Sequence, residues 1–230
     1  MLILFDIDGT ICDTQEVEGR CFAAAFEEAC GRSLESIDWT RYEEPTSSGI
    51  TQELLKADPD STTRARLFQE RFVQRLREAR PEFPGDFSPL PGAVPFIERL
   101  HEDPAFTVAF ATGGFDSEAA FKLDCCGIDL SRFPHATSSD TPRRRDILPL
   151  AALRAGATLE RAVYFGDAPW DVEASRALGI PMIGIGRRVQ ELGTRNSFRD
   201  FSQPDPILKV LERIAGDLPG HRMPRVSDSS

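Results

Sequence analysis

Two carboxylates, one residue apart, follow the first apolar run of the chain. The run that begins at Leu2 leads directly into Asp6 and Asp8, and Gly9 permits the sharp turn that comes next. At the carboxyl end of a parallel strand, such side chains face the crevice in which α/β proteins bind ligands. Two neighbouring carboxylates repel each other unless a cation or a proton neutralises them. A hard divalent cation with oxygen ligands, above all Mg²⁺, would neutralise both and would also hold a phosphate group.

Two later apolar runs also end in residues that could bind a charged ligand. One ends at Thr112 and Gly113, which offer a hydroxyl and backbone N–H groups to an anion. The other ends just before Asp167, and Asp171 follows one helical turn later. Because strand ends of this kind face one crevice, we expect these groups to belong to the same site as Asp6.

The elements that must position these residues alternate between strands and helices. Strands are predicted at 2–6, 106–112, 135–137, 162–166 and 181–186, and helices at 91–101, 116–126, 144–155, 170–178 and 206–214. Near-continuous apolarity, rather than alternation, is typical of strands that are buried on both faces of a parallel sheet. The pattern therefore predicts an α/β fold with a doubly wound, Rossmann-like parallel sheet.

A long helical segment separates the first strand from the second. We predict one amphipathic helix at 16–30 and another at 61–80, with Ser61 as the N-cap of the second. The Pro- and Gly-rich stretch 81–91 is typical of a linker. The segment therefore predicts a helical insertion after the first strand.

These boundaries divide the chain into an α/β core and a helical part. The core is predicted at 1–14 and 88–215, and the helical insertion at 15–87. The tail at 216–230 has little apolar content, and we expect it to be disordered.

The strand-end segments resemble motifs I, II and IV of the haloacid dehalogenase (HAD) superfamily, in its phosphoglycolate phosphatase and β-phosphoglucomutase-like branch. The matching segments are Phe5-Asp6-Ile7-Asp8-Gly9-Thr10, Ala111-Thr112-Gly113-Gly114 and Gly166-Asp167-Ala168-Pro169-Trp170-Asp171. The resemblance implies that Asp6 is the nucleophile and that Asp8 is the general acid and base. The helical insertion would correspond to a C1-type cap that closes over the site.

The same resemblance implies the ligands of the metal and of the phosphate. Asp6, Asp167 and the backbone carbonyl of Asp8 would bind Mg²⁺, and Asp171 would bind the ion or orient its water shell. Thr112 and Gly113 would bind the transferring phosphate.

Motif III departs from the commonest pattern of the superfamily, in which a lysine neutralises the nucleophile and the phosphate. The stretch 139–147 contains no lysine. Lys122, in Lys-Leu after motif II, and Arg144, in Arg-Arg-Asp-Ile, resemble the arrangement of other branches. We expect Lys122, Arg144 or both to supply the positive charge at the phosphate.

These observations predict a Mg²⁺-dependent phosphatase that hydrolyses a small-molecule phosphate monoester through an aspartyl-phosphate on Asp6. Three alternatives stay open. A phosphomutase would use the same motifs, and a phosphonate hydrolase would need a lysine such as Lys56 in the helical insertion. A non-catalytic binding protein could retain the fold, although it would keep an electrostatically costly cluster of carboxylates.

Composition and charge argue against nucleic acid and a membrane as partners of the protein. The formal net charge of −10 argues against a nucleic-acid surface, which needs clustered Lys and Arg. No apolar run is long enough to cross a bilayer, and the first residues lack the pattern of a signal peptide. The 5 cysteines show no metal-ligand spacing and are expected to be reduced thiols in a cytoplasmic protein. We expect a monomer or weak dimer acting on a small phosphorylated metabolite.

Overall fold

A parallel β-sheet forms the centre of the molecule. The computed structural model describes residues 1–187, 189 and 192–217. The strands are β1 (Leu2–Phe5), β2 (Thr107–Ala111), β3 (His135–Ala136), β4 (Ala162–Gly166), β5 (Met182–Ile185) and β6 (Ser197–Phe198). They form a 6-stranded sheet in the order β3-β2-β1-β4-β5-β6, and every pair is parallel. The predicted α/β fold is confirmed; β6 is an additional two-residue edge strand that the apolar pattern does not reveal.

The register of the central strands aligns the ends that carry the predicted site. Phe5 lies opposite Phe110 of β2 and opposite Phe165 of β4. All residues of β1 are buried because β1 has a neighbour on each side and helices on both faces. The first polar residues after β1, β2 and β4 therefore lie at one edge of the sheet.

Helices cover both faces of this sheet. The helices of the core are α4 (Ala93–Glu102), α5 (Asp116–Cys125), α6 (Arg144–Arg154), α7 (Pro169–Leu178) and α8 (Pro204–Asp217). The helical insertion contains α1 (Gln15–Cys30), α2 (Ser47–Leu54) and α3 (Ser61–Ala79). One hydrophobic cluster joins the sheet to α4, α5 and α8. A second joins the opposite face to α6 and α7. Two apolar layers around one sheet give the doubly wound arrangement.

The helical insertion has a hydrophobic cluster of its own. Phe22 and Phe26 of α1 pack against Phe68 and Phe72 of α3, and the rings of Phe22 and Phe68 lie 4.6 Å apart. Phe115, at the start of α5, joins this cluster, so the insertion also packs on the core. An aromatic cluster of this size supplies the apolar burial that an isolated helix pair needs.

Two local predictions need correction, and one helix is additional to those predicted. The N-cap of α3 is Asp60, and Ser61 is its first helical residue. Helix α2 was not predicted, because its few apolar residues give no clear period. Helix α8 extends through Asp217, so Gly216 and Asp217 do not belong to the predicted tail; residues 218–230 lie outside the described residues. No helix in the described part of the chain is long and apolar enough to span a membrane.

Candidate active site

Three aspartates meet at the carboxyl edge of the sheet. Asp6 follows β1, and Asp167 and Asp171 flank the start of α7. One carboxylate oxygen of each lies within 4.8 Å of the others, and each side chain is buried, with 2%, 3% and 0% exposure respectively. The backbone N–H of Asp6 donates to the Phe165 carbonyl at 2.9 Å and so continues the β1–β4 ladder. The sheet itself therefore fixes the position of Asp6.

Asp171 holds the loop that carries Asp167. Its Oδ2 accepts hydrogen bonds from the backbone N–H groups of Asp167 and Ala168, both at 3.1 Å. Its Oδ1 accepts hydrogen bonds from Arg144 and from the Tyr164 hydroxyl, both at 2.8 Å. Since both oxygens are engaged, Asp171 orients the neighbouring groups of the site.

Arg144 is the cation beside Asp6. It is the first residue of α6, and its Nη1 donates to Asp6 Oδ1 at 3.1 Å and to the Tyr164 hydroxyl at 2.8 Å. Its Nε has no hydrogen-bond partner among the residues described. Gly113 leaves room for the guanidinium, because a Cβ at that position would lie 2.5 Å from Arg144 Nη2. Arg144 thus lies between the nucleophile predicted from motif I and the glycine predicted to bind phosphate.

Lys122, the other candidate for this charge, contacts Asp8 and not Asp6. Its fully buried Nζ contacts Asp8 Oδ1 and Glu118 Oε1, both at 2.6 Å, and Glu18 Oε2 at 3.2 Å. No ion pair joins it to Asp6 within the described ranges. Its direction follows from helix geometry, since Glu118 is four residues earlier on the same face of α5. The two cations therefore contact different carboxylates of motif I: Arg144 contacts Asp6, and Lys122 contacts Asp8.

Burial and neighbouring charge shift the pKa values of both clusters. Burial raises the pKa of Asp6 from 3.8 to about 7, with Arg144 opposing the increase. Burial alone would lower the pKa of Lys122, but Asp8 and the two glutamates raise it well above its usual value. Burial, followed by the charge of Asp8, raises the pKa of Glu18 well above its ordinary range. The carboxylates of this region thus need counter-charge or protons to remain buried.

A large cavity of about 920 Å³ opens between the sheet edge and the helical insertion. Six of the predicted site residues line it from the core: Asp6, Asp8, Thr112, Gly113, Arg144 and Asp167. The insertion contributes Glu16, Glu18, Phe22, Trp39, Thr46 and Ile50, among others. Asp171 and Lys122 lie behind this lining and contact the residues that form it.

The acidic cluster fits a hard divalent cation. Its donors are all oxygens, as Mg²⁺ and Ca²⁺ require, and they lie close enough to share one ion. Gly9 allows the chain to turn tightly here with a φ of 75°, and a Cβ on Gly9 would overlap the carboxylate of Asp167. Gln15 Nε2 donates to Asp167 Oδ2 at 2.5 Å, which connects the start of the insertion to the cluster.

Comparison with known families agrees with this geometry. Residues 1–179 match the family model described as haloacid dehalogenase-like hydrolase. The chain belongs to the haloacid dehalogenase-like hydrolases. The superfamily and fold predicted from the motifs are therefore confirmed.

Two curated relatives of this HAD-like hydrolase carry the name phosphoglycolate phosphatase. The protein from Mesorhizobium japonicum is 24% identical over 94% of each chain. The protein from Agrobacterium fabrum is 27% identical over 80% of this chain and 79% of its own. Together with the family match, these relatives indicate a phosphoric monoester hydrolase.

A solved structure shows the same fold. CbbY from Rhodobacter sphaeroides, determined in complex with phosphate, superposes with a TM-score of 0.70 and 22% identity. The match covers 89% of this HAD-like hydrolase and 96% of the CbbY chain. At this identity the likeness concerns the fold.

Sequence reasoning missed three residues of the site: Tyr164, Glu118 and Glu18. Tyr164 lies within the apolar strand β4, where its hydroxyl joins Arg144 and Asp171. Glu118 had a usable signal, because it precedes Lys122 by one helical turn. Glu18 had none, since its contact with Lys122 depends on how α1 packs on the core.

Proposed function

We propose that this HAD-like hydrolase is a Mg²⁺-dependent phosphatase that hydrolyses the monoester of a small phosphorylated metabolite through an aspartyl-phosphate on Asp6. The observation that carries the proposal is the contact between the buried Asp6 and Arg144, 3.1 Å apart at the floor of the cavity. An Arg beside a carboxylate nucleophile offsets the charge that accumulates when a phosphate dianion approaches. The names of the two curated relatives support the same class.

In the first step, a carboxylate oxygen of Asp6 attacks phosphorus and the bond from phosphorus to the ester oxygen breaks. Asp8 gives its proton to the departing oxygen, which leaves as an alcohol. Arg144, the Thr112 hydroxyl and the backbone N–H of Gly113 hold the phosphoryl oxygens. The negative charge on those oxygens is the quantity that catalysis must stabilise.

In the second step, water attacks the phosphorus of the aspartyl-phosphate. Asp8 now accepts a proton from this water, and the bond between phosphorus and Asp6 breaks to release inorganic phosphate. Mg²⁺, held by Asp6, Asp167 and the backbone carbonyl of Asp8, would neutralise charge on the phosphoryl group. We assign Asp171 the role of orienting Asp167 and Arg144, because its own oxygens are already engaged.

The helical insertion at 15–87 is proposed to act as a cap on a core formed by 1–14 and 88–215. Support comes from the cavity, which the insertion closes on one side. Polar contacts between the two parts give further support, since Thr46 Oγ1 donates to the Pro142 carbonyl at 2.6 Å. Such a cover excludes bulk water from the reacting groups.

The phosphonate-hydrolase alternative is less well supported. It would need a lysine on the cavity side of the helical insertion. Lys56 is exposed in the turn after α2 and is not among the residues that line the cavity. A phosphomutase would differ in its acceptor, and the same assay can test it.

The experiment is phosphate release from a panel of small phosphate esters, with Mg²⁺ or with EDTA. Wild type is compared with Asp6→Asn, and with Asp124→Asn as a control at an exposed position of α5. We expect Mg²⁺-dependent release in wild type and in the control, and none in Asp6→Asn. If wild type releases phosphate from no ester but isomerises a sugar phosphate when a bisphosphate is added, the protein is a mutase.

A further inference from the structure

The start of helix α2 is bonded to the core at the phosphate-binding loop. The backbone N–H of Ser47 donates to the Gly113 carbonyl at 2.8 Å, and its Oγ donates to Glu118 Oε2 at 3.0 Å. The adjacent Ser48 binds a different part of the core, because its Oγ donates to the Ser138 carbonyl at 2.6 Å. The two serines therefore dock the same helix on separate partners.

Glu118 connects this docking contact to a buried cation. Its side chain is fully buried, and Oε2 also accepts the backbone N–H of Phe115 at 2.9 Å. Its Oε1 accepts a hydrogen bond from Lys122 Nζ at 2.6 Å. A buried carboxylate needs all of these donors, so loss of the Ser47 hydroxyl would change how strongly Glu118 holds Lys122.

Lys122 in turn holds one oxygen of Asp8. Its Nζ lies 2.6 Å from Asp8 Oδ1, and the Thr14 hydroxyl donates to the same oxygen. Across the described residues, the hydrogen bonds and ion pairs to this side chain all end on Oδ1. Oδ2 is thereby left as the oxygen that can carry the proton to and from the reacting group.

We propose that Glu118 and Lys122 are positioning residues for Asp8, and that the Ser47 hydroxyl couples docking of the helical insertion to leaving-group protonation. The proposal rests on the function proposed above. When α2 is docked, Ser47 completes the donors of Glu118, Glu118 fixes Lys122, and Lys122 fixes Oδ1 of Asp8. Protonation of the leaving group then depends on a closed insertion, which also protects the aspartyl-phosphate from premature exposure.

A change in acid catalysis can be told apart from a general loss of activity by the leaving group. An alkyl phosphate needs a proton on its departing oxygen, whereas p-nitrophenyl phosphate releases a stable phenolate without one. Poor positioning of Asp8 therefore slows the first step, transfer of the phosphoryl group to Asp6, selectively for the alkyl ester. Hydrolysis of the aspartyl-phosphate also uses Asp8 but is common to both esters, so the comparison uses kcat/KM, which reports the first step. A structural defect slows both esters alike.

The test measures kcat and KM for glycerol phosphate and for p-nitrophenyl phosphate with Ser47→Ala and Ser48→Ala. For Ser47→Ala we expect kcat/KM for the alkyl ester to fall about tenfold and kcat/KM for the aryl ester to change by less than about twofold. For Ser48→Ala the ratio of the two kcat/KM values stays at the wild-type value. Ser47→Thr, which keeps the hydroxyl, is expected to restore the ratio.

Equal effects of Ser47→Ala on both esters, or the same ratio in both alanine variants, would overturn the coupling while leaving the phosphatase intact. Glu118→Gln provides an independent variant, because it keeps the shape of the side chain and removes the charge that holds Lys122. It is expected to change the ratio in the same direction as Ser47→Ala. Failure of the wild type to release phosphate from these two esters and from every other ester of the panel would instead reject the proposed function, and the inference with it.

Discussion

The burial of Asp6 predicts that the metal-free protein loses stability as the pH rises. Burial raises the pKa of Asp6 from 3.8 to about 7, and the nearby charges of Asp171 and Asp8 add to the effect. Between these two values the folded protein keeps a proton that the unfolded chain has already lost. The free energy of unfolding therefore falls as the pH rises through this range and is lowest above it. The full change corresponds to roughly 4 kcal/mol.

The assay is urea unfolding in EDTA between about pH 5 and about pH 8. Wild type is compared with Asp6→Asn, which has no carboxyl group to titrate at this position. Other buried acids, such as Glu18, titrate in both proteins and largely cancel in the difference. We expect the stability of wild type, relative to Asp6→Asn, to fall by a few kcal/mol as the pH rises.

Mg²⁺ should reverse this loss, because it takes the place of the proton. Its stabilising effect on wild type is expected to be larger at the upper end of the pH range than at the lower end. Asp6→Asn should respond much less to the ion, whereas Asp124→Asn should behave as wild type. A difference between wild type and Asp6→Asn that stays constant with pH would refute the argument that burial sets the protonation of Asp6.

Three further predictions concern the room around Arg144, the packing of the helical insertion and the charge of the cavity. Gly113→Ala places a Cβ 2.5 Å from Arg144 Nη2 and should displace the guanidinium. We expect kcat to fall on the order of 100-fold, while the free energy of unfolding in urea changes little. Phe68→Ala removes a fully buried ring and should lower the free energy of unfolding by about 3–5 kcal/mol in the same urea assay. Among the described residues, the insertion lines the cavity with acids such as Glu16 and Asp38, whereas the core contributes Arg187 and Arg199. Asp38→Asn should therefore raise kcat/KM for phosphoglycolate, whose leaving group is anionic, relative to kcat/KM for glycerol phosphate.

The residues at strand ends could be predicted from the sequence because they follow from one rule of architecture. A strand such as β1, apolar throughout, has to lie in the middle of a parallel sheet, and its next residue has to face the crevice. The same rule applies to Thr112 and Asp167, which follow the two neighbours of β1. No knowledge of side-chain contacts was needed to bring them together.

The contacts of the two cations could not be predicted in this way. Lys122 and Arg144 both lie on helices, and the direction of a helical side chain depends on the rotation of its helix against the sheet. The sequence left either one as a candidate for the charge beside the nucleophile. Tyr164 shows the same limit, since an aromatic residue inside an apolar strand gives no sign that its hydroxyl joins Arg144 to Asp171.

The two cations contact different carboxylates of motif I. This separation is consistent with the two roles proposed above, with Asp6 as nucleophile and Asp8 as general acid and base. In the proposed mechanism, Asp6 presents an ionised oxygen to phosphorus, and it lies beside Arg144, a cation that keeps its charge throughout the physiological range. In the same mechanism, Asp8 exchanges a proton, and Lys122 engages only one of its oxygens. Two cations on separate helices allow the nucleophile and the acid to be controlled independently, and only the second is connected to the helical insertion through Glu118 and Ser47.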